Sequence, residues 1–346
     1  MGVDFGDLIV RRALTLEELR GKSIAVDGYN ALYQFLTVIR QPDGTPLMDS
    51  HGRVTSHLSG VFYRTINLLE MGVKPVYVFD GKPPEIKEME VARRRALREE
   101  AVKKYEEALQ RGDLKAARTY ASQSARLREE MVDEVKKLLD AMGVPWIQAP
   151  SEGEAQAAYL AIKGDVWASA SQDYDSLLYG APKLVRNLTI SGRRRLPRSE
   201  KYVEVVPELV LLSEVLRTLE LTREQLIDLA ILIGTDYNPD GVKGIGPKRA
   251  YILIKKHGSL ENVLKHLPEV QIPSFQSIRE IFLKPTVSMD YVVRWRPIDR
   301  GKVLEILVEE HDFSRERVEK AIDRVEEALR MERQVGLDKW FQSANH

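Results

Sequence analysis

The sequence predicts an α/β fold: a mostly parallel central sheet flanked by helices, interrupted by a helical cap. Three observations predict it. Four short, nearly alternation-free apolar runs, with helical patterns on either side, read as strands buried on both faces. Three of these runs lead into aspartates, Asp27, Asp80 and Asp173. A long charged stretch, residues 85–138, is too polar to be sheet core and reads as an insertion.

Along the chain, KSIAVDGYNALYQF gives a strand at Ile24–Val26 and a helix beginning near Asn30. KPVYVFDGKPP gives a strand at Val76–Phe79, ended by prolines. The insertion follows, helical with a soft break at Arg111–Asp113. Between Arg93 and Arg118 it holds nine basic and five acidic side chains, so it is either a solvated helical pair or an arch with a basic face. PWIQAP and DVWASASQDYD are the third and fourth strands. KLVRNLTISGRRRLPRSEKYVEVV reads as two strands around a turn at Ser191–Gly192. Residues 222–257 read as helix, loop, helix, with Thr222 and Gln225 capping the first. Residues 259–330 are mainly helical, and the rest reads as a tail. The expected division is 1–84, the insertion 85–138, 139–330 with a helix–hairpin–helix element at 230–258, and the tail 331–346.

The 346 residues, 43% of them apolar, suffice for a sizeable core. There is no cysteine, which excludes disulfides and thiolate metal sites. The six histidines lack ligand spacing, which leaves hard cations held by carboxylates. The formal net charge is zero, so nucleic-acid binding would need separated positive and negative surfaces. The opening MGVDFGDLIVRRA lacks a signal-peptide core, and no apolar run is long enough for a membrane span.

Each acidic candidate has a local alternative. Ser151 and Glu154 make a capping box, and Glu152 in the same first turn suits the helix dipole. Asp173 and Asp175 point the same way in an extended segment, as turn formers, as a phosphatase-type Asp-x-Asp, or as metal ligands. Asp236 follows an apolar helix, where an acid is unfavourable unless something positive offsets it. In an α/β sheet, ligands bind beyond the carboxyl ends of the strands, where Asp27, Asp80 and Asp173 are expected. Seven converging acids, Asp27, Asp80, Glu152, Glu154, Asp173, Asp175 and Asp236, would repel one another strongly, and two Mg²⁺ would neutralise much of that charge. Two such ions support phosphodiester hydrolysis without a histidine base.

VDGYN, VFDGKPP, SEGEAQAAYL, SQDYDSLL and GTDYN, in this order and spacing, resemble the flap structure-specific endonucleases of the XPG/Rad2-like 5′-nuclease superfamily, particularly archaeal members. The resemblance runs over nearly the whole chain. It implies a PIN-like 5′-nuclease fold and a monomeric enzyme that cuts branched DNA near 5′ flaps. An associated 5′→3′ exonuclease activity, and roles in Okazaki-fragment maturation and base-excision repair, go with it. It also implies two Mg²⁺, with Mn²⁺ able to substitute, and a cytoplasmic, chromosome-associated location. Glu154, Asp173 and Asp175 would be the closer metal ligands, with Glu152 near the first site. Asp27, Asp80 and Asp236 would act directly or through waters.

By the same resemblance, Lys87 and Arg94 in the cap would reach the scissile phosphate. Tyr33 would stack on a displaced nucleotide, and Gly2 would lie near the active site. The 71 residues between Asp80 and Glu152 leave no room for the large insertion of the bubble-cutting members. GVKGIGPKRAYILIKKHGS reads as a helix–hairpin–helix: Gly244 and Gly246 permit a tight turn whose amides hold phosphate, and Lys243, Lys248 and Arg249 add charge. The family often binds K⁺ there. Arg193, Arg194 and Arg195 belong either to a second phosphate contact or to a solvated hairpin. QVGLDKWF resembles a sliding-clamp-binding (PCNA-binding) peptide, with Gln334, Leu337, Trp340 and Phe341 as anchors.

Overall fold

In the computed structural model, described for residues 2–344 except 16, 42–43, 191 and 196–201, β1 (Arg12–Ala13) and β2 (Ser23–Asp27) precede α1 (Gly28–Val38) and α2 (Ser56–Glu70). Side chains at 114, 118, 122–123, 190, 192–195, 202–204 and 332–344 lie outside that description. Then come β3 (Lys74–Phe79), the insertion helices α3 (Glu88–Gln110) and α4 (Leu114–Gln123), and α5 (Glu129–Ala141). β4 (Trp146–Gln148), α6 (Gly153–Lys163), β5 (Ala168–Ala170), the short α7 (Asp175–Leu178) and β6 (Lys183–Arg186) follow. After them come the hairpin strands β7 (Gly192–Arg195) and β8 (Tyr202–Val205), then β9 (Glu208–Leu211) and α8 (Leu212–Leu219). The chain ends with α9 (Arg223–Ile233), α10 (Pro247–His257), α11 (Leu260–His266), α12 (Phe275–Leu283), α13 (Arg300–Leu304) and α14 (Arg315–Ala344).

Seven strands form one sheet in the order β1-β9-β6-β5-β2-β3-β4. The run β6-β5-β2-β3-β4 is parallel, and β9 pairs antiparallel with both β6 and β1. The chain builds outward from β2 in both directions, through β3 and β4 on one side and β5 and β6 on the other. The strand order therefore reverses between β2 and β5, where a crevice forms at the carboxyl edge. Asp27 and Asp173 stand at that reversal.

Apolar layers on both faces explain the lack of alternation. On β3, Val76, Tyr77, Val78 and Phe79 are all buried. One layer joins α1, α2, α5 and α14 through Leu32, Phe62, Leu138 and Ile322. The other joins α7, α9, α10 and α12 through Leu177, Leu229, Ile254 and Phe282. The insertion is different. Helix α3 buries only Glu90, Ala101 and Ala108 and packs chiefly on α4. Helix α5 returns to the core with Val135 and Leu138, so the exposed part of the insertion ends before it.

Two ties hold the helical unit that follows the sheet. Arg279 on α12 donates Nε to Asp228 Oδ1 at 2.7 Å and a fork to Glu261 at 2.6 and 3.0 Å. The other oxygen of Asp228 accepts from Leu260 N, so α9, α11 and α12 share one charge cluster. The extended strap 284–299 then runs back to the sheet. Gln156 exchanges two hydrogen bonds with Ser288, and Trp295 Nε1 donates to Pro75 O.

Two local expectations are revised. Of the turn expected at Ser191–Gly192, Ser191 lies outside the described residues, and Gly192 already belongs to β7, pairing with Val205 as Arg195 does with Tyr202. A further strand, β9, carries the chain back into the main sheet. Helix α14 runs across the expected boundary at 331, from Arg315 to Ala344.

Candidate active site

At the carboxyl edge, β2, β3, β4 and β5 lead into acids. Asp27 ends β2 and caps α1, its Oδ1 accepting from Asn30 N at 3.0 Å. Asp80 follows β3, and its Oδ1 accepts from Gly153 N at 2.5 Å, at the start of α6. That bond displaces the capping box expected of Ser151 and Glu154. The N-cap position belongs to Glu152, which makes no side-chain cap bond. With α6 capped from a neighbouring strand, both glutamates turn to other partners. Glu152 accepts from Lys87 Nζ at 2.6 Å, and Glu154 turns inward, with Ser176 Oγ at 3.5 Å.

Asp173, just beyond β5, accepts from Asn30 Nδ2 at 3.4 Å. Asp175 opens α7 and accepts from Val3 N at 2.9 Å. Asp236 lies past α9, whose start has the expected Thr222–Gln225 capping box. The positive charge that its position demands comes from the insertion: Lys87 Nζ at 3.1 Å and Arg94 Nη2 at 2.5 Å.

The seven acids form one electrostatic group. Burial, then Asp80, raises Asp27 well above the usual carboxylate range. Burial, then Glu152, raises Asp80. Burial, then Asp175, raises Glu154, and burial, then Asp236, raises Asp175. Asp236 goes the other way: burial opposes its charge, but Lys87 and Arg94 hold the carboxyl down at about 2.

The donor set is all oxygen, without thiolate or imidazole, which fits hard divalent cations. Lys87 and Arg94 already act as its counter-ions. Among the described residues, no three acidic or imidazole side chains are drawn together as a ready chelate.

The insertion meets this edge at its base. Lys87 is the N-cap of α3, so it lies just before the helix rather than on a shared helical face with Arg94. Both nonetheless reach Asp236. Higher on α3, Arg98 lies over the Tyr33 ring at 5.4 Å and donates to its hydroxyl at 3.2 Å. Gly2 also joins the site. A Cβ there would stand 2.6 Å from Asp173 Cβ and 2.8 Å from Asp175 Oδ1, so no other residue fits without displacing them.

The remaining candidates lie elsewhere. Gly244 is left-handed at φ +80°, Gly246 is the N-cap of α10, and Pro247 opens that helix. Lys243, Lys248 and Arg249 are exposed around this turn, and Arg249 Nη1 donates to Gly244 O. Arg193, Arg194 and Arg195 form β7, and Gln334, Leu337, Trp340 and Phe341 fall on α14; their side chains lie outside the described residues.

Sequence reasoning missed Asn30, which holds Asp173, and Glu90, whose Oε1 accepts from Arg94 Nε at 2.8 Å. Glu90 had a signal, the four-residue spacing to Arg94. Asn30 had none beyond its place in the first turn of α1.

This arrangement, an acidic carboxyl edge at a strand-order reversal with Lys87 and Arg94 of a helical insertion upon it, suits a phosphodiesterase. Comparison with known proteins supports the class. Residues 5–101 match the XPG N-terminal domain, and residues 143–236 match the XPG I-region. The chain is 62% identical to flap endonuclease 1 of Staphylothermus marinus, covering 99% of this chain and all of that one. It is 55% identical to flap endonuclease 1 of Pyrococcus furiosus, over 99% of both. Among solved structures, flap endonuclease-1 from Methanococcus jannaschii superposes with a TM-score of 0.76 at 46% identity, covering 96% of this chain and 100% of that one. The catalytic core of Rad2 in complex with DNA substrate gives 0.71 at 25% identity, covering 94% and 100%. The chain belongs to the flap endonuclease 1 family and is a DNA nuclease. Among the described residues, no helix is long and apolar enough to cross a membrane.

Proposed function

We propose that the chain is a structure-specific 5′-flap endonuclease that uses two divalent ions, Mg²⁺ or in its place Mn²⁺. The observation that carries this reading is the approach of seven carboxylates from five segments to one sheet edge, with Lys87 of the insertion paired to Glu152 and Asp236 and Arg94 to Asp236. Asp27, Asp80, Glu152, Glu154, Asp173, Asp175 and Asp236 would hold the ions, with Glu154, Asp173 and Asp175 closest. Bound there, such ions activate water and stabilise the leaving oxygen.

The chain's own groups do the rest. Lys87 and Arg94 counter charge that develops on the phosphate. Tyr33, held by Arg98, offers a ring for the nucleotide beside the cut. The Gly244–Gly246 turn grips duplex phosphates through backbone amides, with K⁺ as a further ligand. The hairpin arginines 193–195 add a phosphate contact. The insertion forms the arch through which a 5′ end passes, and the segment around Gln334–Phe341 binds the sliding clamp. The enzyme works as a monomer in the cytoplasm, has an associated 5′→3′ exonuclease activity, and serves Okazaki-fragment maturation and base-excision repair.

The test is cleavage of end-labelled 5′-flap, bubble and linear duplex DNA with Mg²⁺. The flap is expected to be cut far faster than the other two. Preference for the bubble would move the enzyme to another branch of the superfamily, and folded, metal-loaded protein that leaves flaps intact would defeat the reading. Asp173→Ala should abolish cutting and largely spare binding measured in EDTA. Removing 334–346 should weaken stimulation by a sliding clamp and leave basal cleavage unchanged.

A further inference from the structure

Glu90 lies one turn before Arg94 on α3 and is buried, alone among the acids of that helix. Helix α3 has little core to enter, and burying a carboxylate is costly unless it is bonded. Its Oε1 accepts from Arg94 Nε at 2.8 Å. Its Oε2 is buried without a hydrogen-bond partner, with Arg93 Nη1 at 3.7 Å. At its far edge Arg94 donates Nη2 to Asp236 Oδ1 at 2.5 Å.

The guanidinium is thus held at two unlike points. The Asp236 end is part of the acidic group, and any cation drawn there competes with Arg94 for it. The Glu90 end belongs to the same helix as Arg94 and moves with it. A guanidinium fixed through Nε keeps its plane and presents its Nη edge, the edge that forks onto phosphate oxygens.

We propose that Glu90 is a positioning residue for phosphodiester hydrolysis, anchoring Arg94 through Nε so that its Nη edge is aimed at the substrate phosphate once Asp236 is engaged elsewhere. The proposal rests on the reading that Arg94 acts on that phosphate. Its partners are Arg94 and Arg93, so it acts through Arg94.

The experiment is single-turnover cleavage of 5′-flap DNA with saturating enzyme and Mg²⁺, paired with flap affinity in EDTA. The proteins are wild type, E90A, E90Q, R94A and E90A/R94A. E90A is expected to slow cleavage by roughly 10–100-fold with affinity unchanged within about twofold. E90Q keeps an oxygen acceptor for Nε and is expected to recover most of the rate. In the R94A background, E90A is expected to add no further loss. Wild-type cleavage by E90A alongside a slow R94A would overturn the proposal, as would E90Q as slow as E90A. A further loss in the double variant equal to that of E90A alone would assign Glu90 a structural role instead. An R94A variant that cuts at the wild-type rate would defeat the reading of Arg94 and leave the carboxylate site standing.

Discussion

Asp27 and Asp80 each do two things with one carboxylate. One oxygen caps a helix, at Asn30 N and Gly153 N respectively, and that bond fixes where the rest of the group points. Helix starts thus become part of the site at no extra cost in chain. Gly2 shows how little slack surrounds it. Gly2→Ala must push its methyl against Asp173 or Asp175, and is expected to slow single-turnover cleavage about 100-fold with flap affinity retained. Unchanged cleavage would mean that the N-terminal segment stands clear of the working site. The places of six of the acids were legible because they follow strand ends or open helices, and that of Asp236 because it follows an apolar helix. The capping of α6 was not, because its acceptor, Asp80, is 73 positions away from Gly153. A local Ser-x-x-Glu pattern cannot reveal a competitor supplied by the fold.

Among the elements, α9, α11 and α12 depend on one guanidinium. Asp228 has a side chain only 1% exposed, so Arg279→Met would leave a buried charge without its partner. The expected loss is about 3–5 kcal/mol in urea unfolding at pH 7. The Arg279 fork holds Glu261 at about 2, against an ordinary value of 4.5. Because the folded state depresses that value, its stabilisation is present above pH 4.5 and is lost as pH falls toward 2. The gap between Arg279→Met and wild type should therefore narrow on acidification through that range; a constant gap would remove the ion pair from the account. The sequence showed these helices but not their tie, since residues 228, 261 and 279 share no periodicity. It also gave Gly192 to a turn on composition, whereas Gly192 is taken up by pairing with Val205.

Over the whole molecule, the fold trades internal repulsion for a place to gather cations. Four of the acids are raised by burial and by their neighbours, and Lys87 and Arg94 oppose that charge directly. Mg²⁺ is therefore expected to raise the thermal midpoint of the wild type, and Asp173→Asn to reduce that shift, both readable by calorimetry. Equal shifts in the two proteins would place Mg²⁺ binding elsewhere. The parallel order of the sheet and its acidic edge were readable from strands that run into aspartates. The docking of the insertion onto Asp236 was readable only as a demand, an acid at a helix end that needed a positive partner.

The most direct test of the central claim is a crystal structure with 5′-flap DNA and Mn²⁺, read by anomalous scattering. The account predicts two peaks among Asp27, Asp80, Glu152, Glu154, Asp173, Asp175 and Asp236, with the scissile phosphate reaching both. A well-ordered DNA complex without anomalous density among these carboxylates, or with the phosphate seated away from them, would contradict it.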